Sequence, residues 1–232
     1  DLAGTAVYYS YPVYFLTAHN DLFLGAAAAG LALDVLGATT AAAIHDGDPY
    51  TQGLARAFAD AFEAGGGTMT AFTAGNKGDS DMVPVLTEVA AGSPEMLFFP
   101  IFQPEGDFIV QQVGDVAGME GITLMAADGL MVSNFMELSE SEGLYFSGPD
   151  LRYGNNRNQS VIVGSPDAFV SGYVMSYGEK PSAAFWAHAY DATTLLLEAI
   201  DAASYVDEDG ALVIDRAGVR EWLNGVTDYE GM

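Results

Sequence analysis

Two stretches carry side chains suited to gripping a small polar molecule. The first runs Ala41-Ala-Ala-Ile-His45, Asp46-Gly-Asp-Pro-Tyr50, Thr51-Gln-Gly53. It reads as an apolar strand over 41–45, a tight turn over 46–49, and a helix opening at Tyr50 or Thr51. The helix continues through Leu54, Phe58 and Phe62 at core-facing spacing. In an open parallel sheet, ligands bind beyond the carboxyl ends of the strands. A helix starting there adds unpaired N–H groups and a partial positive charge. The second stretch is Ala127-Asp128-Gly129. It closes a strand at 122–126, so the Asp128 carboxylate is expected to project into a cleft. The alternative is a turn aspartate bonded to its own backbone; for Tyr50 it is a lid over its turn. The turns carrying Tyr50 and Asp128 are expected to follow neighbouring strands and to converge on one hollow.

Other chemistries are weaker. His45, Asp46 and Asp48 lie close in sequence, but His45 belongs to an apolar strand and two carboxylates lack further ligands. A satisfied structural histidine is expected, with no metal. His19 and His188 have no partner at ligand spacing, and Asp191 reads as a structural residue within a helix. There is no G-x-S-x-G elbow, Walker A loop or dinucleotide G-x-G-x-x-G after a strand. Gly65-Gly-Gly67 follows a helix, and Gly75-Asn-Lys-Gly78 lacks phosphate-loop spacing. No enzyme and no cofactor are expected.

The elements that must hold these residues can be traced along the chain. Val7–Leu16 is aromatic and broken by Pro12, giving two extended pieces. Asn20 or Asp21 caps a helix reaching Leu36, stopped by Gly37. After the strand and helix already named come a strand at 68–73, a helix introduced by Asp79-Ser-Asp81 and ending at Gly92, and a strand at 96–101. A helix begins at Pro104-Glu105, a short helix spans 131–138, and a strand lies at 144–146. Apolar strands alternating with amphipathic helices mean a parallel sheet covered on both faces. Residues 21–146 are thus expected to form a doubly wound α/β unit. Residues 147–164 are polar and turn-rich. Helices are expected at 165–177, 182–204 and 216–224; without strands of their own they cannot close a core.

Composition sets outer limits. The chain has 232 residues, half of them hydrophobic, enough for one large domain or two small ones. Its formal net charge is −25, from 32 acidic and 7 basic residues. Such a surface repels phosphate backbones, so no nucleic-acid partner is expected. The acidity fits a salt-rich habitat and a self-repelling soluble surface equally. No cysteine occurs, so no disulfide framework exists. No apolar run reaches the roughly 18 residues of a membrane span. Residue 1 is Asp, with no basic region ahead of an apolar stretch, so no signal peptide is read and a processed or partial product is expected.

Together, Phe15-Leu-Thr-Ala-His-Asn-Asp21, Ala43-Ile-His-Asp46, Tyr50-Thr-Gln-Gly-Leu-Ala55, Gly78-Asp-Ser-Asp81, Ala127-Asp-Gly129, Ala189-Tyr-Asp-Ala192 and Leu212-Val-Ile-Asp-Arg216 are similar, in order and spacing, to the branched-chain amino-acid (Leu/Ile/Val) binding proteins of ABC transporters. These are type I periplasmic binding proteins, and the resemblance runs over essentially the whole chain. It implies two α/β lobes with the solute clamped between them by hinge closure, without catalysis. Residues 21–146 would be most of the second lobe, and 1–20 with 147–232 a partial, mostly helical first lobe. Crossings would fall near 19–21 and 146–149. The family's opening βα units, which supply hydroxyl and N–H groups for the solute's carboxylate, and its closing strands are absent. A partial copy is therefore expected.

The resemblance implies that Asp128 pairs with the α-ammonium of an amino acid. It places Tyr50 against the ligand, Phe102 or Gln103 along the pocket, and Phe185 against the ligand's side chain; for the last, core packing is the alternative. It implies an ABC permease as partner, a monomer, and a periplasmic or extracellular location. A binding or sensor protein for an amide, aromatic or other carboxylate ligand is the alternative.

Overall fold

The computed structural model describes residues 13–149, 166–183, 185–229 and 231. Among these, one compact unit comprises His19–Pro149, and a second comprises 13–18 with the residues from 166 onward. The first unit is built on a parallel sheet of β1 (Thr40–His45), β2 (Thr68–Ala74), β3 (Met96–Phe99), β4 (Thr123–Ala127) and β5 (Tyr145–Ser147), ordered β2-β1-β3-β4-β5. Around it lie α1 (Asp21–Gly30), α2 (Pro49–Ala64), α3 (Val83–Ala90), α4 (Glu105–Gln112) and the short α5 (Ser133–Met136).

Alternate strand residues point to opposite faces, and both faces are buried. Ala42, Ile44, Leu97, Phe99 and Ala126 meet Leu86, Val89, Ile109 and Val110 on one side. Ala41, Ala43, Met96, Phe98 and Met125 meet Leu24, Ala28, Leu54, Phe58 and Phe62 on the other. The Leu54–Phe58–Phe62 stripe is fully buried, as its spacing predicts, and each such side chain contributes about 1.5–3 kcal/mol. Gly25 is the closest approach of α1 to α2: a β-carbon there would stand 2.6 Å from the Phe58 nitrogen. The sheet with helices on both faces is the doubly wound α/β architecture read from the sequence.

Several expectations are corrected. β1 and β4 are not neighbours, because β3 pairs with both. Each strand's apolar pattern records that it is buried, not which strand it lies beside. β3 stops at Phe99 instead of residue 101, since Pro100 has no N–H for a ladder. The helix expected at 131–138 contracts to Ser133–Met136. Of the extended pieces read at 7–16, residues 7–12 fall outside the described residues, and 13–16 form no strand. The polar stretch 150–164 also lies outside them.

In the second unit, α6 (Pro166–Tyr177), α7 (Trp186–Ala202) and α8 (Arg216–Asn224) are joined by an antiparallel ribbon of β6 (Ser204–Val206) and β7 (Leu212–Ile214). The ribbon corrects the reading of Ser204 as helical: α7 ends at Ala202, and Ser204 pairs with Ile214. Asp215 caps α8, accepting from the Ala217 N–H at 2.9 Å. The buried apolar residues described in this unit are Ala187 and Ala199, while Leu196, Leu197, Val206, Leu212 and Ile214 are exposed. Among the described residues, no helix is long and apolar enough to cross a membrane.

Candidate functional site

Strand order reverses at β1: the chain goes to β2 on one side and then to β3 on the other. Loops leaving the carboxyl ends of strands at such a switch point diverge and leave a crevice. The β1 loop is built by short-range bonds. Asp46 Oδ1 accepts from the Asp48 N–H at 3.0 Å and from the Thr51 hydroxyl. Asp48 caps α2 through the Tyr50 N–H at 2.9 Å, and Pro49 begins the helix with its fixed φ. Tyr50 is thereby held in the first turn of α2.

From there the Tyr50 hydroxyl donates to Asp128 Oδ1, at the end of β4. The Tyr50 ring lies 5.5 Å from the Phe102 ring, which belongs to the β3 loop. Phe102 covers Gly129, where a β-carbon would fall 2.7 Å from its Cε1. Gly148 borders the same place, next to Met131 and Asp128. Loops after β1, β3 and β4 thus bring Tyr50, Phe102 and Asp128 together, although the middle strand separates the outer two.

Burial shapes the electrostatics. It raises the Asp128 carboxyl above its ordinary range, partly opposed by the Tyr50 hydroxyl and the Gly129 N–H. Burial, the Asp128 charge and the bond to Asp128 push the Tyr50 phenol far up, with a smaller contribution from Asp21. Tyr50 is therefore a fixed proton donor. Asp21, in the first turn of α1, is also buried, and its carboxyl is raised by that burial and by the Asp128 charge. Sequence reading treats Asp21 only as a candidate cap. The cap is Asn20, whose Oδ1 accepts from the Phe23 N–H at 3.2 Å. Nothing local in the sequence marks Asp21 as a neighbour of Asp128.

The remaining candidates have contacts of their own. Gln103 adjoins Phe102, but its amide donates to both Asp107 oxygens at 2.9 Å. Phe185 belongs to the second unit, half-buried at the start of α7, with its ring 5.8 Å from that of His188. His45 is a structural histidine: Nδ1 accepts from the Gly47 N–H at 3.1 Å, the ring lies 5.2 Å from Phe72, and burial lowers its pKa. Among the described residues, no cluster of three or more metal-ligating side chains occurs.

A profile described as periplasmic binding protein matches residues 3–232. The Leu/Ile/Val-binding protein BraC3 of Rhizobium johnstonii is 27% identical over 172 residues, covering 74% of this chain and 44% of that protein. A leucine-, isoleucine-, valine-, threonine- and alanine-binding protein of Pseudomonas aeruginosa is 24% identical over 222 residues, or 95% of this chain and 57% of that one. Among solved structures, the leucine-binding protein LivK of Thermotoga maritima superposes with a TM-score of 0.73 at 27% identity, over 93% of this chain and 57% of that one. The substrate-binding protein LivJ of Streptococcus pneumoniae, solved with isoleucine, gives 0.72 at 20% identity over 98% and 60%, which is a likeness of fold. The chain spans about half the length of the curated relatives it matches.

Proposed function

The chain belongs to the periplasmic binding protein family, and on that premise we propose that it is the solute-capturing part of an ABC importer for an amino acid, branched-chain or similar. Such a protein breaks no bond. It takes up a solute outside the cytoplasmic membrane, in the periplasm or extracellularly, and as a monomer hands it unaltered to a permease. The observation that carries this reading is the Tyr50–Asp128 hydrogen bond at the carboxyl ends of the sheet. It holds a carboxylate beside an aromatic wall of Tyr50 and Phe102, a setting for an ammonium group with an apolar body next to it. Asp128 is the ammonium partner, Tyr50 orients it, and the 102–103 loop shapes the pocket. Relatives named for binding leucine, isoleucine and valine support the solute class. The driving force is population shift: a solute stabilises a closed arrangement by contacts it makes better there than in the open one.

Calorimetry with leucine, isoleucine and valine tests this, beside an aliphatic amide and an aromatic carboxylate. Asp128→Ala is expected to weaken amino-acid binding by about 1.5–3 kcal/mol, the range for hydrogen bonds to charged groups. Unchanged affinity removes Asp128 from the site. Preference for the amide or aromatic acid replaces the amino-acid reading with the alternative ligand class.

A further inference from the structure

A second carboxylate reaches the same crevice from a different element. Ala127, the last residue of β4, pairs with Ser147, the last of β5. The Ser147 hydroxyl donates to the Leu24 carbonyl of α1 at 2.7 Å. That bond pins the opening turns of α1 beside the ends of β4 and β5. Asp21 precedes Leu24 by three residues, so the two share a face and lie about 4.5 Å apart along the axis. The buried stripe of α1 is Asp21, Leu24, Gly25, Ala28 and Ala29, with Asp21 at the crevice end and 9% exposed.

Asp21 is not used up by capping, which falls to Asn20. It senses the Asp128 charge, and Tyr50 senses both. The Tyr50 hydroxyl gives its proton to Asp128, and the Asp21 charge acts on it from farther off. Two buried carboxylates near one another disfavour joint ionisation. A primary ammonium removes that conflict: it brings one positive charge and three N–H donors, enough for both acids.

We infer that Asp21 is a second carboxylate of the ammonium subsite, so that the crevice discriminates primary amines from their N-methylated counterparts. The inference rests on Asp128 being the ammonium partner. Once methylated, the nitrogen keeps two N–H donors and cannot serve both acids and the Tyr50 hydroxyl oxygen, which keeps its acceptor lone pairs while donating to Asp128.

The test compares the unaltered chain, Asp21→Asn and Asp128→Asn, with L-leucine and N-methyl-L-leucine as probes. Asp21→Asn is expected to weaken leucine binding roughly tenfold and to draw the leucine to N-methyl-leucine affinity ratio toward one. It is also expected to raise the unfolding temperature of the ligand-free protein, because a buried charge repelled by Asp128 is removed. An aspartate acting only on the helix dipole predicts the reverse, a lowered unfolding temperature and unchanged selectivity. If Asp21→Asn does not fold, Asp21→Ser supplies the same measurements. Leucine affinity within twofold of the unaltered chain in Asp21→Asn, while Asp128→Asn weakens it at least tenfold, overturns the role of Asp21 and leaves that of Asp128. Failure of the unaltered chain to bind any amino acid overturns both.

Discussion

At the amino end of the sheet, Glu95 accepts from the Thr39 N–H at 2.6 Å, the Thr39 hydroxyl at 3.0 Å and the Thr40 N–H at 3.1 Å. These bonds hold its carboxyl below the ordinary glutamate range. At the carboxyl end, burial raises both Asp128 and Asp21 above the ordinary aspartate range. The Glu95 carboxylate is stabilised as an anion by donors from the segment entering β1, so it ties that segment to the residue before β3. At the carboxyl end burial disfavours both anions and the Asp128 charge adds to this at Asp21, while the Tyr50 hydroxyl and the Gly129 N–H favour the Asp128 anion. One end uses its acid to hold the fold. The other holds its acids where burial disfavours their charge.

The most severe way to break this contrast is Tyr50→Phe. Removing the donor from Asp128 is expected to cost about 1.5–3 kcal/mol of stability at neutral pH, measured by denaturant unfolding, with the loss shrinking once acid protonates Asp128. A cost that does not change with pH would show that the phenol packs without serving the carboxylate. Next comes Gly129→Val. Its β-carbon drives into the Phe102 ring, and overpacking of this kind costs about 1–3 kcal/mol. The expected outcome is weakened solute binding together with a lowered unfolding temperature; an unchanged pocket would mean that Phe102 swings freely.

The pH profile sharpens the comparison because the two ends carry opposite signs. Asp128 has a raised folded pKa, so its ionised form is penalised in the folded state. That penalty is full above the raised value and fades as pH falls toward the ordinary aspartate pKa. Glu95 has a lowered folded pKa, so its contribution is present above its ordinary value and lost as pH falls through the lowered one. Unfolding temperature against pH should therefore lose its high-pH penalty in Asp128→Asn and its low-pH decline in Glu95→Gln, with Glu95→Gln leaving solute affinity untouched. The smallest effect is expected for Lys77→Ala, which removes the exposed Lys77–Asp48 ion pair at 3.8 Å. Less than about 1 kcal/mol should be lost on denaturant unfolding, since such pairs are well solvated.

Much of the first unit was legible because its signals are local. The i, i+4 stripe Leu54, Phe58, Phe62 announces α2, which begins at Pro49, one residue ahead of the Tyr50 start its turn suggests. The apolar runs at 41–45, 96–101 and 122–126 announce buried strands within two residues of their ends, and the loops after them point to Tyr50, Phe102 and Asp128. The second unit was less legible. Its ribbon of Ser204–Val206 and Leu212–Ile214 consists of two three-residue strands whose partners are each other. Such short apolar pieces read equally well as helix ends. Gln103 follows Phe102 in the β3 loop, and that its amide meets Asp107 is decided by side-chain geometry within one helical turn.

By itself, the sequence determined which segments of the first unit are helix or strand and which of their faces are apolar, because capping, turn chemistry and hydrophobic periodicity act over a few residues. Tertiary structure alone decided that β3 separates β1 from β4, and that α1 delivers Asp21 to the crevice through a serine more than a hundred residues away. Those outcomes depend on how buried faces of distant segments fit together. Two buried strands with the same apolar pattern look alike until their neighbours are in place.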